Sequence, residues 1–161
     1  MRKLVALVLL LAVAACQSST SRRPSANLAS ERHQEGTQSI IVAASPEQVR
    51  TALIASAEER GTIITRDEAN MVIMENALSR KNDVLDAEFG PSDKGERVVR
   101  VRLRFSGSPC RTLVVQDLAL LNNAYTDKEQ SFQLPGDANT QSSLFGLKSK
   151  AEATSTCAPA V

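Results

Sequence analysis

Arg100, Arg102 and Arg104, at alternate positions between Val99, Val101, Leu103 and Phe105, are the most chemically suggestive residues of the chain. On a strand such a row projects from one face at a spacing of roughly 7 Å. Three guanidinium groups so placed suit an anion: a lipid A phosphate, a phospholipid headgroup or an acidic protein surface. A second reading balances the row locally. If Leu85–Phe89 is a strand paired with Val99–Phe105 across the 90–96 loop, Asp86 and Glu88 share the arginine face, with Asp86 opposite Arg100 or Arg102. Opposite charges paired across strands contribute roughly 0.2–1 kcal/mol each. Local compensation is the reading that this spacing favours.

Other chemistries find few residues to carry them. Hydrolysis of a cell-wall glycan by carboxylates alone needs only two acids that meet in space. Asp67, Glu68, Asp86 and Glu88 are the candidates, although acids on turns and outward strand faces are ordinarily solvated. The one histidine is His33, so a Ser–His–Asp triad would depend on it. There is no HExxH, no glycine-rich phosphate loop and no Gly-x-Ser-x-Gly elbow, and no serine stands three residues before a lysine. A metal site usually draws on several His or Cys side chains. No enzyme activity, metal or cofactor is expected.

The N-terminus is more specific. Met1-Arg2-Lys3 is a short basic start, followed by an apolar run from Leu4 to Ala15. That run falls short of the roughly 20 residues that cross a bilayer, and it suits the apolar region of an export signal. It ends Val13-Ala14-Ala15-Cys16, which resembles the lipobox of bacterial lipoproteins. The resemblance implies cleavage before Cys16 and acylation of that cysteine. Several acyl chains hold a protein stably on a membrane surface where one chain does so only marginally. Gln17, where Asp would imply retention at the inner membrane, implies the outer membrane, facing the periplasm.

Residues 17–36 read QSSTSRRPSANLASERHQEG, with Leu28 as the one large aliphatic residue. Such a segment cannot bury enough apolar surface to offset its ordering entropy, and a flexible chain of this length reaches roughly 25 Å. It is expected to tether a domain spanning residues 37–157, with a tail at 158–161. Cys110 and Cys157 remain once Cys16 is lipidated, and an even pair in an oxidising compartment is expected to form a disulfide. A redox pair would want Cys-x-x-Cys spacing, which is absent.

The chain has 161 residues, 42% hydrophobic and 23% charged, with 3% aromatics and no Trp. Losing Arg2 and Lys3 with the signal takes the 19 basic residues to 17, against 18 acidic. A strongly basic nucleic-acid binder, a multi-pass membrane protein and a low-complexity chain are excluded, and one exported domain remains.

The elements that must position these side chains follow from local signals. Ser39–Ala43 is a β-branched strand. Ser45-Pro46-Glu47-Gln48 combines an N-cap, a first-turn proline and a capping-box glutamine, and Gly61 suits the helix end. Val49, Ala52, Leu53, Ser56 and Ala57 fall at helical spacing between them. Thr62–Thr65 and Met71–Met74 read as strands around a turn at 67–70. Leu85–Phe89, Val99–Phe105 and Thr112–Gln116 read as an antiparallel meander, and 119–135 is ambiguous, with a strand near Phe132. A last helix capped at Asn139 or Thr140 runs to about Ala151, with Leu144, Leu147 and Ala151 on one face and Phe145 to the side.

This order predicts a single α+β domain, an antiparallel sheet with helices on one face. Its opening, from the Ser45–Gln48 cap through ERGTIITRDEANMVIM, resembles the helix-grip or TATA-binding-protein-like domains of some envelope lipoproteins. The expected function is that of a lipid-anchored, non-catalytic module that contacts another envelope component, most readily a protein, and not nucleic acid. A binder of a lipid, small amphiphile or anion is the alternative, which a cavity between helix and sheet would favour.

Overall fold

A computed structural model of the chain describes residues 37–157. The expected signal, Cys16, His33 and the tether lie outside the described residues, as does the tail at 158–161. The described chain is a single α+β domain. Its elements are β1 (Gln38–Val42), α1 (Pro46–Arg60), β2 (Ile63–Glu68), β3 (Met71–Leu78), α2 (Asp83–Phe89), β4 (Glu96–Ser108), β5 (Arg111–Ala124), β6 (Gln130–Leu134) and α3 (Ala138–Ala153).

The sheet is antiparallel, in the order β1-β5-β4-β3-β2, with β6 also paired to β5. Gln38 of β1 stands opposite Gln116, and Leu134 of β6 stands opposite Leu118. β6 and β1 therefore follow one another along the same edge of β5. The junction is tight: a Cβ on Gly136 would come 2.3 Å from the Gln38 side chain, whose Nε2 donates to Asp137 O at 3.0 Å.

α1 forms as its residues require. Ser45 Oγ accepts from Gln48 N at 3.2 Å, Gln48 Oε1 accepts from Ser45 N at 2.9 Å, and Gly61 ends the helix at φ 65°. Val49, Leu53 and Ala57 are its buried stripe. α3 begins earlier than the expected caps at Asn139 or Thr140. Asp137 is the N-cap, its Oδ1 accepting from Thr140 N at 2.8 Å while Thr140 Oγ1 accepts from Asp137 N at 2.7 Å. Asp137 both satisfies a terminal N–H and puts negative charge at the positive end of the helix. Leu144, Leu147 and Ala151 are buried as the spacing predicts, and Phe145 is exposed. Together with Val42, Val72, Leu103, Phe105 and Val114, the apolar stripes of α1 and α3 form the main core on one face of the sheet.

Leu85–Phe89 is not a strand but most of α2, which corrects the expected meander. Asn82 caps the helix, its side chain accepting from Leu85 N at 3.1 Å, and Asp83 and Asp86 fall in the first turn. A five-residue alternation also places Leu85 and Phe89 one helical turn apart, and the cap decides between the two. The meander is built from β2 through β6 instead. The ambiguous 119–135 segment holds the second half of β5, a turn and β6, with the Phe132 ring tilted against that of Phe89 at 5.3 Å between centroids.

Candidate functional site

The arginine row lies on the sheet face opposite α1 and α3, because Val101, Leu103 and Phe105 point to the helices and alternate with it. Its charge is balanced locally, though by different acids than expected. Arg102 lies directly opposite Asp117 on β5, and its Nε donates to Asp117 Oδ2 at 2.9 Å. Arg104 Nη2 reaches the same oxygen at 3.4 Å. Arg100 lies opposite Glu75 on β3 and donates to its Oε1 at 2.5 Å, with Glu129 3.9 Å from its Nη1. Asp117 and Glu75 are buried beneath these guanidinium groups. An anion arriving at the row would compete with three carboxylates already in place.

Tyr125 completes this network by donating its hydroxyl to Glu75 Oε2. That hydrogen bond, with burial and the Glu75 charge behind it, pushes the Tyr125 hydroxyl up to about 12. Asn123, near the end of β5, and Tyr125, just after it, both hold positive φ, at 52° and 64°.

Asp86, expected beside the arginine row, is on α2 and pairs elsewhere. Its Oδ1 accepts from Arg97 Nη2 at 2.7 Å. Arg97 is wholly buried; it also donates to Gly90 O at 2.7 Å and through Nε to Asn122 Oδ1 at 2.8 Å. Asn122 Nδ2 in turn donates to Phe89 O and Gly90 O. This polar clasp holds the C-terminal end of α2 over β4 and β5. The other acids weighed for hydrolysis sit apart from it. Asp67 accepts from Arg50 Nε at 2.6 Å, Glu68 is 3.4 Å from Arg66, and Glu88 is exposed.

Cys110 and Cys157 stand at disulfide distance, with Cα atoms 5.4 Å apart, and join the β4–β5 turn to the segment after α3.

A cleft of about 290 Å³ opens on the helical face with the sheet as its floor; a second concavity, of about 520 Å³, runs along Glu47, Thr51, Ala55 and Glu59 of α1. α1 and α3 are tied together at one end, where Gln48 Nε2 donates to Thr154 O at 3.3 Å. The cleft opens between the second half of α1 and the first half of α3, with the sheet beneath. Leu53, Leu103, Leu118, Leu144 and Leu147 form its apolar part. Small residues keep it open: Ser56 and Ala57 on α1, Ser143 and Gly146 on α3. A Cβ added at Gly146 would meet nothing within 4 Å. Exposed Arg60 and Lys150 flank it, and Lys150 Nζ donates to Glu59.

Gln116 is the one buried polar residue in the lining; Thr62, Asn76 and Thr140 also line the cleft but are more exposed. Gln116 is 7% exposed, it faces Leu103 across β4, and its side chain makes no hydrogen bond among the described residues. The cleft is a product of helix packing, which sequence periodicity does not reveal. One local signal was available: Gln116-Asp117 interrupts the apolar strand Leu113–Leu121, a polar pair with one side chain on each face.

No protein-family model and no curated protein matches the chain. Among solved structures, it is similar to a TBP-like protein from Parabacteroides distasonis ATCC 8503, with 12% identity and a TM-score of 0.38, over 74% of this chain and 93% of that one.

Proposed function

We propose that this chain is a lipid-anchored, non-catalytic binding protein of the cell envelope, held by acylated Cys16 on the periplasmic side of the outer membrane, and that the cleft between α1, α3 and the sheet receives a small amphiphile. The anchor rests on Val13-Ala14-Ala15-Cys16 and on Gln17 after it. The cleft is the observation that carries the binding function. Its volume of about 290 Å³ stands at the lower end of the range of ligand pockets, and leucines from both helices and the sheet line it, with polar side chains among them.

A second reading, an accessory module that docks an envelope protein, draws on the sheet edge. β2 is the outermost strand beside β3, and Ile63 at its start is 63% exposed. A partner strand could add there. A register shift at 64–66, with Arg66, Asp67 and Glu68 after it, blunts the same edge, which favours the cleft.

Membrane fractionation of the wild type and Cys16→Ser tests the anchor. Release of the variant is expected, and retention in the membrane pellet would overturn it. In-cell crosslinking followed by purification and mass spectrometry separates the two binding readings. A captured amphiphile supports the cleft, and one stoichiometric protein with no small molecule transfers the function to the edge.

A further inference from the structure

The geometry points to a specific ligand class for the cleft: a single-chain amphiphile of roughly ten carbons, anionic at one end, with a hydrogen-bonding hydroxyl on its apolar chain that pairs with Gln116. This rests on the reading of the cleft as a binding site and adds what the site selects.

The size follows from the volume. About 290 Å³ lies at the foot of the range of ligand pockets, roughly 300–1,000 Å³. That admits one short chain and excludes the several tails of a membrane lipid.

The polar end follows from the charges at the cleft. Arg60 and Lys150 both flank it and both are exposed, with Glu59 the acid that Lys150 meets. Two cations against one carboxylate leave positive charge where a ligand carboxylate would rest, in solvent.

The hydroxyl follows from Gln116. A glutamine amide brings two donors and an acceptor. Here it sits among Leu103, Leu118 and Leu144, nine-tenths buried, with no partner among the described residues. Gln38, directly opposite on β1, does not satisfy it: Gln38 Nε2 is committed to Asp137 O, and its Oε1 is itself buried without a hydrogen bond. A plain alkyl chain filling the cleft would strip solvent from the Gln116 amide and return nothing. A chain carrying a hydroxyl at that depth would return a hydrogen bond, and the penalty for an unmet buried polar group sets the preference.

The test is calorimetric titration of the full chain carrying Cys16→Ser with decanoate and with 3-, 6- and 10-hydroxydecanoate, a series that moves the hydroxyl along one chain. The expected result is that one hydroxydecanoate binds about tenfold or more tighter than decanoate. Gln116→Leu is expected to abolish that preference while retaining decanoate, and Gly146→Leu to abolish binding of all four by filling the cleft. Equal affinity for decanoate and every hydroxydecanoate overturns the proposal, as does a preference that survives in Gln116→Leu. If Gln116 serves only the fold, Gln116→Leu shifts the thermal midpoint and leaves the ratio of affinities unchanged. Binding of decanoate that is lost in Gly146→Leu, without any hydroxyl preference, keeps the cleft as a binding site and removes only this inference. No binding of any of the four below millimolar concentration, with captured amphiphile from cells, does the same.

Discussion

Arg102 Nε lies 2.9 Å from Asp117 Oδ2 across β4 and β5, and Asp117 is only 5% exposed. Arg104 approaches the same oxygen. The arginine row thus caps acids that the sheet has already removed from water, and its first role is to neutralise them. The triple variant Arg100→Gln, Arg102→Gln, Arg104→Gln leaves Glu75 and Asp117 buried without their cations. Leaving a buried charge unpaired costs about 3–5 kcal/mol. Urea denaturation is expected to show a loss of about that size, and a variant as stable as the wild type would contradict the compensating role.

Gly146 occupies the middle of α3, and a Cβ there meets nothing within 4 Å. Glycine inside a helix is less stable than alanine by roughly 0.5–1 kcal/mol. Gly146→Ala is expected to raise stability by about that much, with a matching rise in the denaturation midpoint. A loss of stability would mean that the position is packed, and that the cleft is narrower than described.

Much of the fold was legible in the sequence, and the reasons are local. Ser45, Pro46, Gln48 and Gly61 each act within one turn of their own position, so α1 could be read directly. The pairing of Cys110 with Cys157 was expected from their even number and the oxidising compartment that the N-terminus implies, and the two stand at disulfide distance. Leu85–Phe89 was misread because five residues fit a strand and a helix equally, and the deciding cap, Asn82, lay just outside the alternation. The partners of the arginines were illegible for a different reason. Asp117 and Glu75 meet them through strand register, which depends on how the whole sheet assembles. The cleft belongs to that class too, since it exists only where α1 and α3 part over the sheet.

The Cys110–Cys157 link closes a loop of 47 residues. By the chain-entropy model a loop of that length contributes about 4 kcal/mol, commonly less in practice. Reduction with dithiothreitol is expected to lower the urea midpoint markedly, and Cys110→Ala with Cys157→Ala to match the reduced wild type. An unchanged midpoint would show that the segment after α3 adds nothing to stability.

Glu152 links α3 to the chain just after β1. Burial works against its charge, but hydrogen bonds from Ala43 N, at 2.7 Å, and from Lys148 hold its carboxyl below the usual carboxylate range. A depressed folded-state pKa adds stability above the unfolded value, about 4.3 for Glu, and that stability is lost as pH falls through the folded value. Unfolding free energy is therefore expected to decline below about pH 4. Glu152→Gln should flatten that decline while leaving the higher-pH plateau lower. A variant with the wild-type slope would assign the acid sensitivity elsewhere.

The occupancy of the cleft is the most direct test. The full chain with Cys16→Ser, isolated from its own cells without detergent, would be compared with the same chain carrying Gly146→Leu by native mass spectrometry. A small molecule is expected bound to the first, released on denaturation, and missing from the second. Identical spectra for the two proteins, with or without a bound species, would contradict that expectation.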